Sequence, residues 1–147
     1  MNNQLVRNWM TSKPITITPQ TTLPEAQQIL FDHRIRRLPV VDRGKLVGIL
    51  TLGDIREASP SDATTLSVYE LNYLLDRLLV KDIMTVSPIT VSPDDLIGEA
   101  ARLMYENKIG GLPVVEEGEL VGIITETDLC RLLMLEQPET MEIYHAP

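Results

Sequence analysis

The sequence predicts a mixed α/β protein made of two copies of a β-α-β-β-α unit. The first observation is a repeat, because Val6–Ala58 aligns without a gap on Val80–Leu132, 74 positions later, with 21 identities in 53 pairs. Each copy also alternates β-branched segments with helical spacing of apolar residues. Since a unit of roughly 55 residues buries little surface alone, we expect the two copies to form one cooperative body.

The first half of each copy contains a strand and a helix. Ile15–Ile17 and Ile89–Val91 alternate apolar and hydroxyl residues, which predicts short strands. Apolar residues at helical spacing follow, and they predict a helix of about three turns in each copy. Thr22 and Asp95 are the predicted N-caps of these helices.

The second half of each copy contains two strands and a helix. The LPVV segments Leu38–Val41 and Leu112–Val115 predict buried strands, each followed by a glycine turn and a return strand. Gly48 and Gly122 interrupt the return strands, which indicates a close backbone approach or a bulge. The predicted last helices are Gly53–Ala58 and Thr127–Leu135.

The repeat also defines the expected domains. Residues 1–58 form the first repeat, 59–79 a connector with an inserted helix, 80–135 the second repeat, and 136–147 a frayed C-terminal tail. The inserted helix, Leu66–Leu79, is amphipathic and has no counterpart in the repeat. Its leucines and tyrosines cover either a core or an oligomer contact, and we favour the core.

Composition excludes several classes of protein. The net charge of −8 argues against duplex DNA or an anionic membrane as a general partner. One cysteine fits a reducing compartment, and without an apolar leader or membrane-length segment we expect a cytoplasmic protein. Charge differs between the copies, because residues 32–45 carry +3 and the matching residues 106–119 carry −3.

The order of motifs resembles a known family. Each copy contains P-I-T-[IV]-x-P, L-P-V-V, a turn glycine and L-V-G-I-[IL]-T-x-x-D. This order closely resembles the cystathionine β-synthase (CBS) domain, and the tandem pair resembles a Bateman module over Val6 to about Leu135. The stretch before and at Val80–Thr85 is similar to bacterial CBS-pair proteins, including acetoin-utilisation-like ones. The resemblance implies pseudo-twofold packing of the repeats, a homodimer, and clefts that bind AMP, ADP, ATP or S-adenosylmethionine.

The resemblance also assigns candidate binding residues. Ribose hydroxyls would be held by Thr51, Asp54, Thr125 and Asp128. The adenine slot would be formed by Ile35, Pro39, Ile49, Ile109, Pro113 and Ile123. Arg36 and Arg37 match phosphate-binding positions, whereas the second copy has Gly110 and Gly111 there, so its cleft should tolerate less phosphate.

Each assignment has a structural alternative. Thr-x-x-Asp at a helix start is also a capping box, Ile49 and Ile123 fit an ordinary core equally well, and the two arginines can be solvated charges. His33 fits a partner of a helix C-terminus, and His145 lies in the tail. Cys130 is predicted to be a core residue, and the spacing of histidines and cysteine predicts no metal site.

These observations favour a non-catalytic regulatory module. We expect it to bind adenine nucleotides, to require no cofactor, and to signal to a separate effector protein in trans. The alternative is a structural dimerisation module with no physiological nucleotide. An enzyme is the least favoured class, because the sequence contains no nucleophile elbow, P-loop or paired acid and base.

Overall fold

The computed structural model describes residues 4–59 and 65–137. The chain forms two compact units, and we call Pro14–Pro88 the first-repeat unit. The second-repeat unit combines Ile89–Pro147 with Met1–Lys13. The compact units therefore differ from the sequence repeats, because the N-terminal segment of each repeat belongs to the unit of the other.

The predicted fold class is confirmed, with two three-stranded sheets and flanking helices. A short 3-10 helix, Val6–Asn8, precedes the other described elements. In chain order these are β1 (Thr11–Ser12), α1 (Leu23–His33), β2 (Arg37–Asp42), β3 (Lys45–Thr51), α2 (Leu52–Ala58), α3 (Val68–Arg77), α4 (Val80–Ile83), β4 (Thr85–Val86), α5 (Ile97–Asn107), β5 (Gly111–Glu116), β6 (Glu119–Thr125) and α6 (Glu126–Glu136). The sheet of the first-repeat unit has the order β2-β3-β4, and that of the second-repeat unit β1-β6-β5.

The predicted hairpins are confirmed. β2 pairs with β3 and β5 with β6, both antiparallel. In the first turn Arg43 has φ 52° and Gly44 φ 80°, which is the left-handed pair that a two-residue hairpin with matching twist requires. Each hairpin also has a register shift, at Val40/Val41 and at Val114/Val115.

The strand predicted at Ile15–Ile17 is wrong in position. The structure has a single parallel bridge, Ile17 to Val40, in which the Ile17 N–H donates to the Pro39 carbonyl and the Val41 N–H to that of Ile17. Extending this ladder would require an N–H from Pro19 or from Pro39, and proline has none. The same geometry limits the strand predicted at Ile89–Val91 to the bridge between Val91 and Val114. The paired strands, β1 and β4, instead lie a few residues earlier.

Each unit has its own apolar core on the helix-covered face of its sheet. The first-repeat core contains Leu23, Ala26, Leu30, Leu38, Val40, Leu50 and, from the start of the second repeat, Val80. The second-repeat core is equivalent and includes Val6. Backbone bonds hold the N-terminal segment there, because the Val6 N–H donates to Asp95 and the Ile97 N–H to Gln4, each at 2.9 Å.

One of the two predicted N-caps is confirmed. The Thr22 hydroxyl accepts the Glu25 N–H at 3.3 Å at the start of α1. Asp95 is not the cap of α5, because Leu96 occupies that position and the Asp95 carboxylate instead accepts the Ser92 N–H. Leu96 is the residue that aligns with Thr22. The helix therefore starts at the same position in both repeats, although the second repeat has no capping side chain there. α2 and α6 begin one residue before the predicted starts.

The inserted helix covers a core, as we favoured, but only in part. Ser67 caps α3 by accepting the Glu70 N–H, and none of the helix residues is buried. Leu75 packs against the first-repeat core, as does Leu78 beyond the helix end. Tyr69, in contrast, is 87% exposed, and Val68, Tyr73 and Leu74 are also exposed.

Several predictions concern residues outside the described ranges. They are the polar connector around residues 60–64, His145 and most of the predicted tail. Among the described residues, no helix is long and apolar enough to cross a membrane.

Candidate functional site

Thr51 and Asp54 form a complete capping box where β3 runs into α2. The Thr51 Oγ1 accepts the Asp54 N–H, and the Asp54 Oδ2 accepts the Thr51 N–H, both at 3.0 Å. The structural alternative for this motif is therefore real. The box uses only one carboxylate oxygen, which leaves the other for further partners.

The second oxygen of Asp54 faces a third strand. The Thr85 hydroxyl, on β4, donates to the Asp54 Oδ1 at 3.3 Å. Asp54 is half-buried, so its carboxylate keeps an open side. The sequence pattern by itself gives Thr85 no role. The contact could not be inferred, because Thr85 is 31 residues from Asp54 and belongs to the other repeat.

The candidate slot residues form a row across each sheet. Pro39 pairs with Ile49 and Ile49 with Thr85, so these three lie side by side on one face. In the second-repeat unit the row is Pro113, Ile123 and Thr11. We call this face the binding face; it is opposite the face that carries Leu38 and Leu50 into the core. The structure therefore adds Thr85 and Thr11 to the candidate residues.

Ile35 and Ile109 do not join this row. Both residues precede their strands, are half-buried, and pack against the core cluster of their own unit. Ile35 also lines an open groove beside α1, together with Phe31, Arg34, Arg36 and Leu52. Of the three slot residues predicted per copy, two thus share the binding face and one lies on the helix side.

The two arginines also separate. Arg37 pairs directly with Thr51 in the β2–β3 ladder, two residues from Ile49, which places it on the binding face. Arg36 precedes the strand, is exposed, and lines the groove beside α1, while its carbonyl accepts the Leu52 N–H. In the second-repeat unit the equivalent carbonyl belongs to Gly110 and accepts the Glu126 N–H.

Asp128 has different surroundings from Asp54. Its Oδ2 accepts the Thr125 N–H at 2.9 Å and lies 3.4 Å from the Thr125 hydroxyl. Its Oδ1 lies 3.5 Å from the Nη2 of Arg131, one helical turn later on α6. The same guanidinium is 4.9 Å from the centre of the Trp9 ring and donates to the Trp9 carbonyl.

The remaining candidate residues, Cys130 and His33, are not assigned to a site. Cys130 was predicted to be core and is exposed on α6, because the apolar face of this helix turns Leu132 inward instead. His33 is the exposed last residue of α1, in the predicted position. Over residues 4–59 and 65–137 there is no group of three metal-ligating side chains.

Fold and site together define a class of protein: a tandem α/β repeat with a hydroxyl and a carboxylate at the end of each central strand. Residues 6–61 and 80–135 each match the CBS domain family, so the chain belongs to this family. The sequence-based recognition of a tandem CBS pair is confirmed.

Solved CBS-pair structures resemble nearly the whole chain. The CBS domain pair of protein MJ0100, solved in complex with 5′-methylthioadenosine and S-adenosyl-L-methionine, is 33% identical with a TM-score of 0.76, over 91% of this chain and 98% of that one. CBSX2 in complex with AMP is 29% identical with a TM-score of 0.76, over 91% and 98%. A proposed acetoin utilization protein (AcuB) from Vibrio cholerae is 30% identical with a TM-score of 0.75, over 97% and 98%.

Some curated relatives are much longer. The inosine-5′-monophosphate dehydrogenase of Korarchaeum cryptofilum is 40% identical over 116 residues, which are 78% of this chain and 21% of that enzyme. The chain thus spans about a fifth of the length of this relative. Its similarity to an enzyme is similarity to one segment of that enzyme.

Proposed function

We propose that this CBS pair is a non-catalytic regulatory module that binds an adenosine-containing ligand on the binding face. The observation that carries the proposal is Asp54. Its carboxylate lies at the end of the central strand, where one oxygen accepts the Thr51 N–H. The other oxygen faces the Thr85 hydroxyl on β4. A carboxylate oriented by the backbone with an open side is suited to accept hydrogen bonds from two vicinal hydroxyls.

The neighbouring residues suit the rest of an adenosine ligand. Pro39 and Ile49 lie in one row with Thr85 on the binding face and both are buried, so the proposal assigns them to the apolar wall of the purine slot. Arg37 lies on the same face, next to Thr51, and its guanidinium can pair with a phosphate through two parallel hydrogen bonds. We therefore assign the phosphate role to Arg37 ahead of Arg36.

The choice of ligand is part of the proposal. Support for an adenosine ligand comes from the similar CBS pairs solved with AMP and with S-adenosyl-L-methionine and 5′-methylthioadenosine. The arginine on the first-repeat binding face favours AMP, ADP or ATP there. The second-repeat unit has glycine in place of both arginines, which favours a ligand without phosphate.

A ligand panel tests the proposal. Calorimetry and thermal shift with AMP, ADP, ATP, S-adenosylmethionine and NAD(H) should show saturable binding and a raised Tm for an adenosine ligand. Asp54→Ala should weaken this binding roughly 10- to 100-fold, because it removes hydrogen bonds to a charged group. Unchanged affinity in Asp54→Ala would contradict the proposed role.

Asp82→Ala is the matched control for helix capping. Asp82 accepts the Leu79 N–H at 2.9 Å at the start of α4, as Asp54 accepts the Thr51 N–H at the start of α2. Each substitution should therefore cost about 1 kcal/mol of stability through the lost cap. Only Asp54→Ala should also reduce ligand affinity.

The second candidate function is a structural dimerisation module. It is favoured by the complete capping box at Asp54, which explains that carboxylate without a ligand. Exposed aromatic residues at equivalent helix positions, Phe31 on α1 and Tyr105 on α5, also fit a protein contact. A panel without binding, together with a dimer mass in light scattering, would favour this candidate.

The partner proposals follow from the regulatory role. We propose a homodimer and a separate effector protein that responds to the ligand. Support for a protein contact comes from the exposed apolar surface of α3, where Tyr69 and Val68 are among the most exposed apolar residues. Light scattering with and without ligand measures the first of these proposals directly.

A further inference from the structure

The two candidate ribose carboxylates are not equivalent. In the first-repeat unit the outer oxygen of Asp54 faces the neutral hydroxyl of Thr85. In the second-repeat unit the outer oxygen of Asp128 faces the cationic guanidinium of Arg131. The residue that aligns with Arg131 in the first copy is Glu57, so charge at this position is reversed between the repeats.

Three contacts hold Arg131 over Asp128. Its guanidinium stacks on the Trp9 ring at 4.9 Å, and its Nη2 donates to the Trp9 carbonyl at 3.2 Å and faces the Asp128 Oδ1 at 3.5 Å. The ring is itself fixed, because the Trp9 Nε1 donates to the Gln4 side-chain oxygen at 2.9 Å. The residue of the second copy that aligns with Trp9 is Ile83, which lies in the first-repeat unit, so that unit lacks the aromatic platform as well.

This arrangement restricts access to the Asp128 carboxylate. The Asp128 side chain is 12% exposed, whereas that of Arg131 is 54% exposed. Its Oδ2 is engaged by Thr125, so vicinal hydroxyls of a ligand must bind at Oδ1. They then share or displace the guanidinium, which costs part of its ion pair and of its stacking on Trp9.

We propose that Arg131, held on Trp9, is the residue that makes the second-repeat site the weaker of two sites for a ribose diol. The inference rests on the proposed function and names the residue that separates the two affinities. The Asp54 site fills first. The Asp128 site fills at higher ligand concentration, and its filling moves Arg131 relative to the Trp9 ring.

The chain contains an internal reporter for this site. Trp9 is its only tryptophan, and it contacts Arg131 in the second-repeat unit. Tryptophan fluorescence therefore follows the Asp128 site, while calorimetry follows both sites. Adenosine is the probe, because it carries the diol and no phosphate, so the arginines of the first copy do not contribute to its binding.

The experiment isolates the second site in an Asp54→Asn background and titrates adenosine. Adding Arg131→Gln to this background should tighten adenosine binding roughly fivefold. This is the effect expected from losing one exposed cation–π contact and one exposed ion pair. Arg131→Lys keeps the charge and should give an adenosine affinity between those of the Asp54→Asn background and of Arg131→Gln in it. Arg102→Gln is the matched control, because Arg102 pairs with Glu99 and Glu106 on the exposed side of α5 and should leave adenosine affinity unchanged.

The outcomes separate this inference from the proposed function. In the chain without substitutions, adenosine should first bind at the Asp54 site without changing Trp9 fluorescence. A second, weaker binding phase should then change Trp9 fluorescence, and this order of events supports the inference. Equal affinities at the two sites, or no gain in Arg131→Gln while the Asp54 site still binds, would overturn the inference alone. No adenosine binding at either site, with or without the Arg131 substitution, would overturn the proposed function and the inference together.

Discussion

Gly48 lies so close to Met84 that a Cβ on the glycine would be 2.7 Å from the methionine sulfur and 2.9 Å from the Thr85 carbonyl oxygen. The same relationship recurs between Gly122 and Met10, at 2.6 Å from the sulfur. In both units glycine thus lets the short strand from the other repeat reach the central strand. Of the two alternatives that the sequence left open at these glycines, the close approach is confirmed, and a register shift also lies opposite each glycine, at Val40/Val41 and Val114/Val115. The close approach holds Thr85 beside Asp54.

Gly48→Ala should destabilise the protein by about 1–3 kcal/mol, the usual cost of overpacking. A methionine side chain can move aside, but the Thr85 carbonyl belongs to the paired backbone and cannot move without loosening β4. Chemical denaturation measures the loss. Because Thr85 would shift from Asp54, we also expect weaker ligand binding in calorimetry.

Gly98→Ala is the control for this substitution. Gly98 lies near the start of α5, and a Cβ there would have no neighbour within 4 Å. Alanine should stabilise the helix, by up to about 1 kcal/mol. Equal destabilisation by both substitutions would contradict a steric cause at Gly48.

Arg37→Ala should weaken AMP binding roughly tenfold or more and leave adenosine binding nearly unchanged. The reason is that Arg37 shares the binding face with Ile49 and Thr51, whereas Arg36 lines the groove beside α1. Calorimetry with both ligands measures the difference. Arg36→Ala is the matched control and should affect both ligands little; a larger AMP loss in Arg36→Ala would reverse the assignment.

Glu99 should titrate below its ordinary pKa of 4.5, because the Arg102 guanidinium hydrogen-bonds its carboxylate and lowers its pKa. A carboxyl with a lowered folded-state pKa stabilises the fold above its unfolded pKa, and this contribution is lost as the pH falls through the folded pKa. The pair is exposed, so its effect on stability should be small. In an NMR titration, Arg102→Gln should raise the Glu99 pKa; an unchanged pKa would contradict the pairing.

Val6→Ala should cost about 2 kcal/mol of stability, because Val6 is fully buried in the second-repeat core and its truncation leaves a cavity. Val86→Ala is the matched control, since Val86 is a strand valine that is 64% exposed. Its effect should stay within about 0.5 kcal/mol. Similar losses for the two variants in denaturation would show that the N-terminal segment does not contribute to the core.

Much of the fold follows from local patterns in the sequence. Periodicity predicted α1, α2, α3, α5 and α6 to within two residues at each end, and the turn glycines predicted both hairpins, because spacing and positive φ are properties of neighbouring residues. The one-turn helix α4 was not predicted. The capping box at Thr51 and Asp54 was visible for the same reason, since its partners are three residues apart. The error at Ile15–Ile17 has a long-range cause, because the ladder is stopped on the Ile15 side by Pro39, which lies on the partner strand.

The sequence by itself determined the repeat, its element order, the family and the carboxylate at the end of each central strand. Only the tertiary structure decided which side chains surround those carboxylates. Thr85 reaches Asp54 across 31 residues and Arg131 reaches Trp9 across 122, and the two adjacent arginines separate. The physical reason is that element type depends on local backbone preferences. The neighbours of a side chain depend instead on which strands pair, and here each short strand pairs with the central strand of the other repeat.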